Sequence, residues 1–143
     1  MTGTRYLGLD VGSRRVGVAV SDDLGIVATP VGFVQPGPKD REEFRVLVDR
    51  YGIAELVAGI PRNMSGKEGP QAAEVRKYAN ALARDLGLPV TYWDERLTSV
   101  IAERSLISGG RTRNQRKQEI DAAAAAVMLQ GFLDSRSRIN RGR

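Results

Sequence analysis

Apolar and polar positions alternate through the first third of the chain, then change to helical spacing. Residues 5–10 (RYLGLD) and 16–21 (VGVAVS) predict two strands, and the connection from Gly12 to Arg15 is short enough for a hairpin. Residues 26–34 (IVATPVGFV) predict a third strand, with Pro30 suited to an edge or a bulge. The run QPGPKD breaks the pattern. Over 41–51, Phe44, Leu47, Val48 and Tyr51 fall at helical spacing, and Gly52 closes the helix. AELVAGIP predicts a short buried strand and RNMSGKEG a loop. Over 70–86, Ala72, Val75, Ala79, Leu82 and Leu86 share one helical face, which Gly87 ends. PVTYWDE predicts a last strand. A short helix is expected over 99–108 with Thr98 or Ser99 as its N-cap. A basic loop, GGRTRNQRKQ, and an alanine-rich helix over 118–133 follow, and SRSRINRGR reads as a disordered tail.

The order is three strands, helix, strand, helix, strand, then helices. The first three strands suit an antiparallel meander. The later alternation suits parallel pairing through crossovers. The expected fold is therefore α/β, a mixed sheet covered by helices, in one domain over 1–134 with a basic tail over 135–143. There is no internal repeat.

Composition narrows the chemistry. With 41% hydrophobic residues in 143, the chain can bury a core. It has no cysteine, no apolar run of membrane-spanning length and no secretion-like start, and it reads as a soluble cytoplasmic protein. It also has no histidine. That excludes a Ser-His-Asp or Cys-His catalytic unit and an ordinary zinc site. Any metal must be held by oxygen, which points to Mg2+ or Mn2+.

Net charge is +5, unevenly placed. Residues 1–103 hold 13 Lys/Arg against 14 Asp/Glu, whereas residues 104–143 hold 9 against 3. A basic C-terminal part suggests a polyanionic partner, nucleic acid above all; a solvated basic face is the alternative.

Four acids are candidates for chemistry. Asp10 ends the first strand, Asp94 and Glu95 end the last, and Asp121 opens the alanine-rich helix. The topology allows both strand tips to meet at one sheet edge. Carboxylates gathered there repel one another unless a divalent cation lies between them. Each also has a plain use: Asp10 in an Asx turn, Asp94 or Glu95 in a surface pair with Arg96, Asp121 against the helix dipole. Successive strand residues point to opposite faces, so Asp94 and Glu95 are not equivalent.

The stretches GLDVGSRRVGVAVSD, VAGIPRNMSGKEGPQAAEVRKYANAL, VTYWDERLTS and KQEIDAAAAAVMLQGFL together resemble the YqgF-type (RuvX) family, over roughly residues 4 to 134. Its members are named as pre-16S rRNA nucleases and Holliday-junction-resolvase-like proteins. The resemblance implies an RNase H-like fold with a mixed five-stranded sheet. It implies a metal-dependent phosphodiester hydrolase that matures the 5′ end of 16S rRNA in the cytoplasm. It gives Asp10, Glu95 and Asp121 the catalytic, metal-binding positions, and favours Glu95 over Asp94. Many RNase H-like nucleases carry an acid on the fourth strand; here Gly59, Ile60 and Pro61 stand in that place.

With no histidine, water activated by a metal is the plausible nucleophile, and a second metal would stabilise the leaving oxygen. Arg14 and Arg15 can hold a phosphate beside Asp10, or form a solvated turn. Asn63 and Ser65 can contact substrate or shape their loop. Arg111, Arg113, Arg116 and Lys117 suit a phosphate-gripping loop, which positions a nucleic acid without reading its sequence. Three rival readings exist. An actin- or hexokinase-type nucleotide binder needs a second DxG loop that this chain lacks. A non-catalytic nucleic-acid-binding module is separated by metal-dependent cleavage. A branched-DNA resolvase differs only in substrate.

Overall fold

A computed structural model describes residues 4–97 and 113–141, with side chains described over 4–96 and 120–136. The element order is β1 (Tyr6–Val11), β2 (Val16–Ser21), β3 (Ala28–Val34), α1 (Asp40–Tyr51), β4 (Glu55–Ile60), α2 (Pro70–Leu86), β5 (Val90–Asp94), a 3-10 turn (Glu95–Leu97) and α3 (Arg113–Arg141). The helix expected over 99–108 and its cap lie outside the described residues.

The five strands form one sheet in the order β3-β2-β1-β4-β5. β1–β2 and β2–β3 pair antiparallel, while β1–β4 and β4–β5 pair parallel. This is the mixed sheet the sequence pattern predicts, and β1 sits at its centre. The hairpin turn closes because the Gly12 N–H donates to the Arg15 carbonyl at 2.9 Å. A Cβ on Gly12 would stand 2.8 Å from that carbonyl oxygen, so only glycine allows the approach. β3 is an edge strand. It carries Pro30 opposite Ala19 and a register shift at Val18/Ala19.

Period-two alternation sorts the strands onto two faces. Leu7 and Leu9, Val16, Val18 and Val20, and Leu56, Ala58 and Ile60 form a core with Phe44 of α1 and Ala72, Val75, Ala79 and Leu82 of α2. Gly52 and Gly87, both left-handed, stop those two helices. Buried Asp40 ties them together: the Tyr78 hydroxyl donates to it at 2.7 Å, and Arg41 pairs with it at 3.1 Å.

The opposite face carries Tyr6, Ala19, Val57 and Trp93 and is covered by Ala125, Met128, Leu129 and Phe132 of α3. Small residues let α3 lie flush. A Cβ on Gly8 would stand 2.9 Å from the Leu129 Cβ, and one on Gly17 would overlap the Asp121 carbonyl. Further along, Gln130 donates to the Ile26 carbonyl at 2.7 Å and accepts from the Ala28 N–H at 2.9 Å. Helix α3 is thus fixed at two heights along the sheet.

The bounds of α3 differ from expectation. Residues 113–117, expected in a basic loop, already form helix, and the helix runs on from Asp134 through Arg141. After Gly110 no glycine or proline interrupts the chain until Gly131, and Arg, Gln and Lys are good helix formers. Once the alanine segment has nucleated a helix, extending it costs little.

Candidate active site

The carboxyl ends of β1, β4 and β5 all open on one edge of the sheet, where ligands of open α/β sheets bind. Asp10 lies there on the face toward α3, because Gly8 and Asp10 share a side of β1 and Gly8 meets Leu129. Asp10 pairs in register with Gly17 of β2. Gly17 is where the backbone of Asp121 touches down, so the missing side chain sets Asp121 over Asp10. The third turn of α3 carries the acid, since the helix begins at Arg113, and the sheet supplies the hole it fits.

Glu95 reaches the same point from the 3-10 turn after β5. Gly59 of β4 pairs with Trp93, and a Cβ on Gly59 would stand 2.7 Å from Glu95 Oε1 and 2.9 Å from its Cγ. The Glu95 side chain therefore fills the volume that a side chain on β4 would need. This gives the empty fourth-strand position a physical account: the acid arrives from the neighbouring strand and lies across the glycine.

Glu95 and Asp121 both act on the Asp10 carboxyl, so the three acids feel one another at this edge. Burial pushes the Asp10 carboxyl above the usual carboxylate range; the Glu95 hydrogen bond pulls it back and the charge of Asp121 raises it further. Asp121 is paired with Arg15, whose Nε lies 2.6 Å from its Oδ2. The pair is ionic rather than a well-aligned hydrogen bond, since this solvent-shielded oxygen has no hydrogen-bond partner. The Arg15 guanidinium also lies over the Phe33 ring at 5.6 Å.

Asp94 is committed elsewhere. It accepts from the Arg96 N–H at 3.0 Å and from its guanidinium at 2.7–3.1 Å, which holds its carboxyl below the ordinary value. Arg96 in turn reaches the Asn63 carbonyl at 3.5 Å, so Asp94 braces the loop after β4. Asn63, a candidate for substrate contact, spends its Oδ1 inside that loop, accepting from the Ser65 N–H and hydroxyl and from the Lys67 N–H. Arg14 is exposed on the hairpin turn. Arg111 lies outside the described residues; Arg113, Arg116 and Lys117 fall on α3, where side chains are outside the described set.

The edge thus brings together Asp10, Glu95 and Asp121 with Arg15, and it leaves Asp94 and the Asn63 carboxamide oxygen out. Gly17 is a residue sequence reasoning missed, and for Gly59 the sequence shows only that it stands where an acid is absent. Gly17 carried a signal, since a four-residue hairpin places it beside Asp10. Among the described residues, no group of three acids stands close enough to ligate one ion as the side chains lie. The donor set nevertheless fits a hard divalent cation: all ligands are carboxylate oxygens, and one of them, on Asp121, is buried without a hydrogen bond.

Comparison with known proteins shows the family and the fold. A sequence model of the family described as "RuvX: Holliday junction resolvase" matches residues 4–135. A protein of Moorella thermoacetica named "Putative pre-16S rRNA nuclease" is 47% identical over 132 residues, covering 91% of this chain and 94% of its own. One of Heliobacterium modesticaldum with the same name is 42% identical over 137 residues, covering 94% and 92%. Among solved structures, "T. thermophilus RuvC in complex with Holliday junction substrate" superposes with a TM-score of 0.57 at 14% identity, covering 94% of this chain and 96% of that one. The yeast mitochondrial resolvase Ydc2 superposes at 0.54 with 12% identity, covering 96% and 81%. At such identities the likeness establishes the RNase H-like fold.

Proposed function

Because the chain belongs to the RuvX family and is a nuclease, a hydrolase of phosphodiester bonds, we propose that it depends on Mg2+ or Mn2+ and processes the 5′ end of pre-16S rRNA in the cytoplasm. The observation that carries this reading is the convergence of Asp10, Glu95 and Asp121 at the carboxyl edge of the sheet, Glu95 lying over Gly59 and Asp121 over Gly17, which pairs with Asp10. The names of the close relatives point to ribosomal RNA as substrate. Among the described residues no helix is long and apolar enough to cross a membrane.

Asp10, Glu95 and Asp121 would hold the ion. Once bound, it would supply an activated water and neutralise charge developing on the phosphate. Burial favours the protonated form of Asp10, and a metal needs the carboxylate, so affinity falls as Asp10 is protonated. Arg15 balances the charge of Asp121 and, with Arg14, stands where a substrate phosphate would meet the site from the hairpin side. Arg111, Arg113, Arg116 and Lys117 would grip the backbone and fix its register without reading bases. Asn63 would act by holding its loop in shape.

The test is cleavage of precursor rRNA, plain RNA and a four-way DNA junction in chelator, then with Mg2+ or Mn2+ added. Metal-restored cleavage preferring precursor rRNA is expected. Full cleavage in chelator overturns the mechanism, and preference for the junction replaces the rRNA substrate with branched DNA.

A further inference from the structure

The loop between β4 and α2 holds an apolar side chain out into water on purpose-built supports. Asn63 Oδ1 accepts three hydrogen bonds, at 2.8 Å from the Ser65 hydroxyl, 2.9 Å from the Lys67 N–H and 3.0 Å from the Ser65 N–H. The Asn63 N–H donates to the Lys67 carbonyl, and the Gly66 N–H returns to the Asn63 carbonyl, each at 2.9 Å. Gly66 takes φ +85, open to glycine at low cost. The Arg96 guanidinium, anchored by Asp94, closes the loop from outside. Met64 sits inside this frame, and its side chain is 100% exposed. No other large apolar side chain among the described residues is as exposed.

The loop stands beside the acids. Its anchor Arg96 follows Glu95 directly, and a Cβ on Gly66 would stand 3.7 Å from the Arg96 guanidinium. Arg62, which pairs with Glu68 at 3.2 Å, and Lys67 flank Met64 in the loop. A thioether on a rigid stem between cations matches an unstacked base on a phosphate backbone. Met conforms to flat apolar surfaces, and apolar side chains including Met serve as wedges between bases. Ordering the loop in advance removes a cost that binding would otherwise carry.

We propose that Met64 packs against an unpaired nucleobase next to the scissile phosphate, making this loop a base-stacking contact of the nuclease. The inference rests on the nuclease reading above. It predicts preference for single-stranded or locally opened substrate over plain duplex, since a paired base keeps its faces covered.

The experiment measures binding of a short single-stranded RNA and of its duplex, each carrying 2-aminopurine, with Ca2+ present so that cleavage is suppressed. Met64→Ala should weaken single-strand binding roughly fivefold to tenfold, somewhat less than an aromatic stacking loss. It should also reduce the 2-aminopurine fluorescence change, with duplex binding and the salt slope unchanged. Met64→Leu should restore most of the affinity. Because the side chain is solvent-exposed, unfolding temperature should not move, and this is measured in parallel. Single-strand affinity and fluorescence unchanged within twofold in Met64→Ala overturn the contact and leave the nuclease reading intact. Failure of the wild type to bind either RNA or duplex overturns the nuclease reading instead, and this contact with it.

Discussion

Replacing Gly59 by alanine tests whether the site depends on the volume shared with Glu95. The added methyl would meet Glu95 Oε1 at 2.7 Å, its Cγ at 2.9 Å and Met128 Cγ at 3.1 Å. Ordinary contact begins at 3.4 Å, so the carboxylate must retreat by the difference, about 0.7 Å. A side chain on a terminal turn can do that by rotating, and the backbone need not move. Stability should change by less than about 1 kcal/mol, because alanine is favoured over glycine in a strand by roughly 0.5–1 kcal/mol and offsets the crowding. Catalysis has no such tolerance. A misplacement near 1 Å can cost about a hundredfold, so cleavage should slow by about tenfold to a hundredfold, or roughly 1.4–2.7 kcal/mol of barrier. The assay is single-turnover cleavage with Mg2+ in excess, beside thermal unfolding of the same preparations. Gly17→Ala supplies the contrast. There the methyl would collide with the backbone of Asp121 rather than a side-chain end, so helix α3 must shift and both stability and rate should fall. Wild-type rate in Gly59→Ala, with the Glu95 carboxylate seen displaced in a crystal structure, would refute the reasoning.

Two further outcomes follow from the same geometry. Glu95→Gln should lower the single-turnover rate by at least about a hundredfold, whereas Asp94→Asn should cost less than about tenfold because it only loosens Arg96; the reverse order would move the centre of the site by one residue. The Asp10 carboxyl is raised by burial and by Asp121, so the folded metal-free protein holds its proton more tightly than the unfolded chain. Stability in chelator should therefore fall as pH rises from the ordinary aspartate value through the folded value, and Asp10→Asn should remove that fall, read as unfolding temperature against pH.

Much of this arrangement could be read from the chain. The five strands and both crossover helices lie within a residue or two of where apolar periodicity puts them, and α2 runs from Pro70 to Leu86 as its pattern and closing glycine dictate. Strand polarity sufficed to bring Asp10 and Glu95 to one edge. What stayed illegible depends on approach between elements far apart in sequence. That Gly17 and Gly59 are holes fitted to particular acids follows only from how α3 and the 3-10 turn lie on the sheet. The pairing of Arg15 with Asp121 and the turning inward of Asn63 are side-chain choices among several that one sequence permits. The bounds of α3 were missed for another reason: a basic composition reads as loop, although each residue in it is a competent helix former.

The edge strand β3 has a consequence for how the molecule behaves in a crowded cell. A straight, unbroken edge offers its free N–H and C=O groups to any passing strand, and proteins with such edges polymerise. Here Pro30 removes one donor from the row, and the register break opposite it interrupts the spacing that an incoming strand would have to match. The polypeptide can therefore carry a strongly apolar central sheet at high concentration without templating its own aggregation. Restoring a regular edge, by replacing Pro30 with a β-former such as valine, would lengthen the sheet's invitation to neighbours and leave the edge that gathers Asp10, Glu95 and Asp121 untouched.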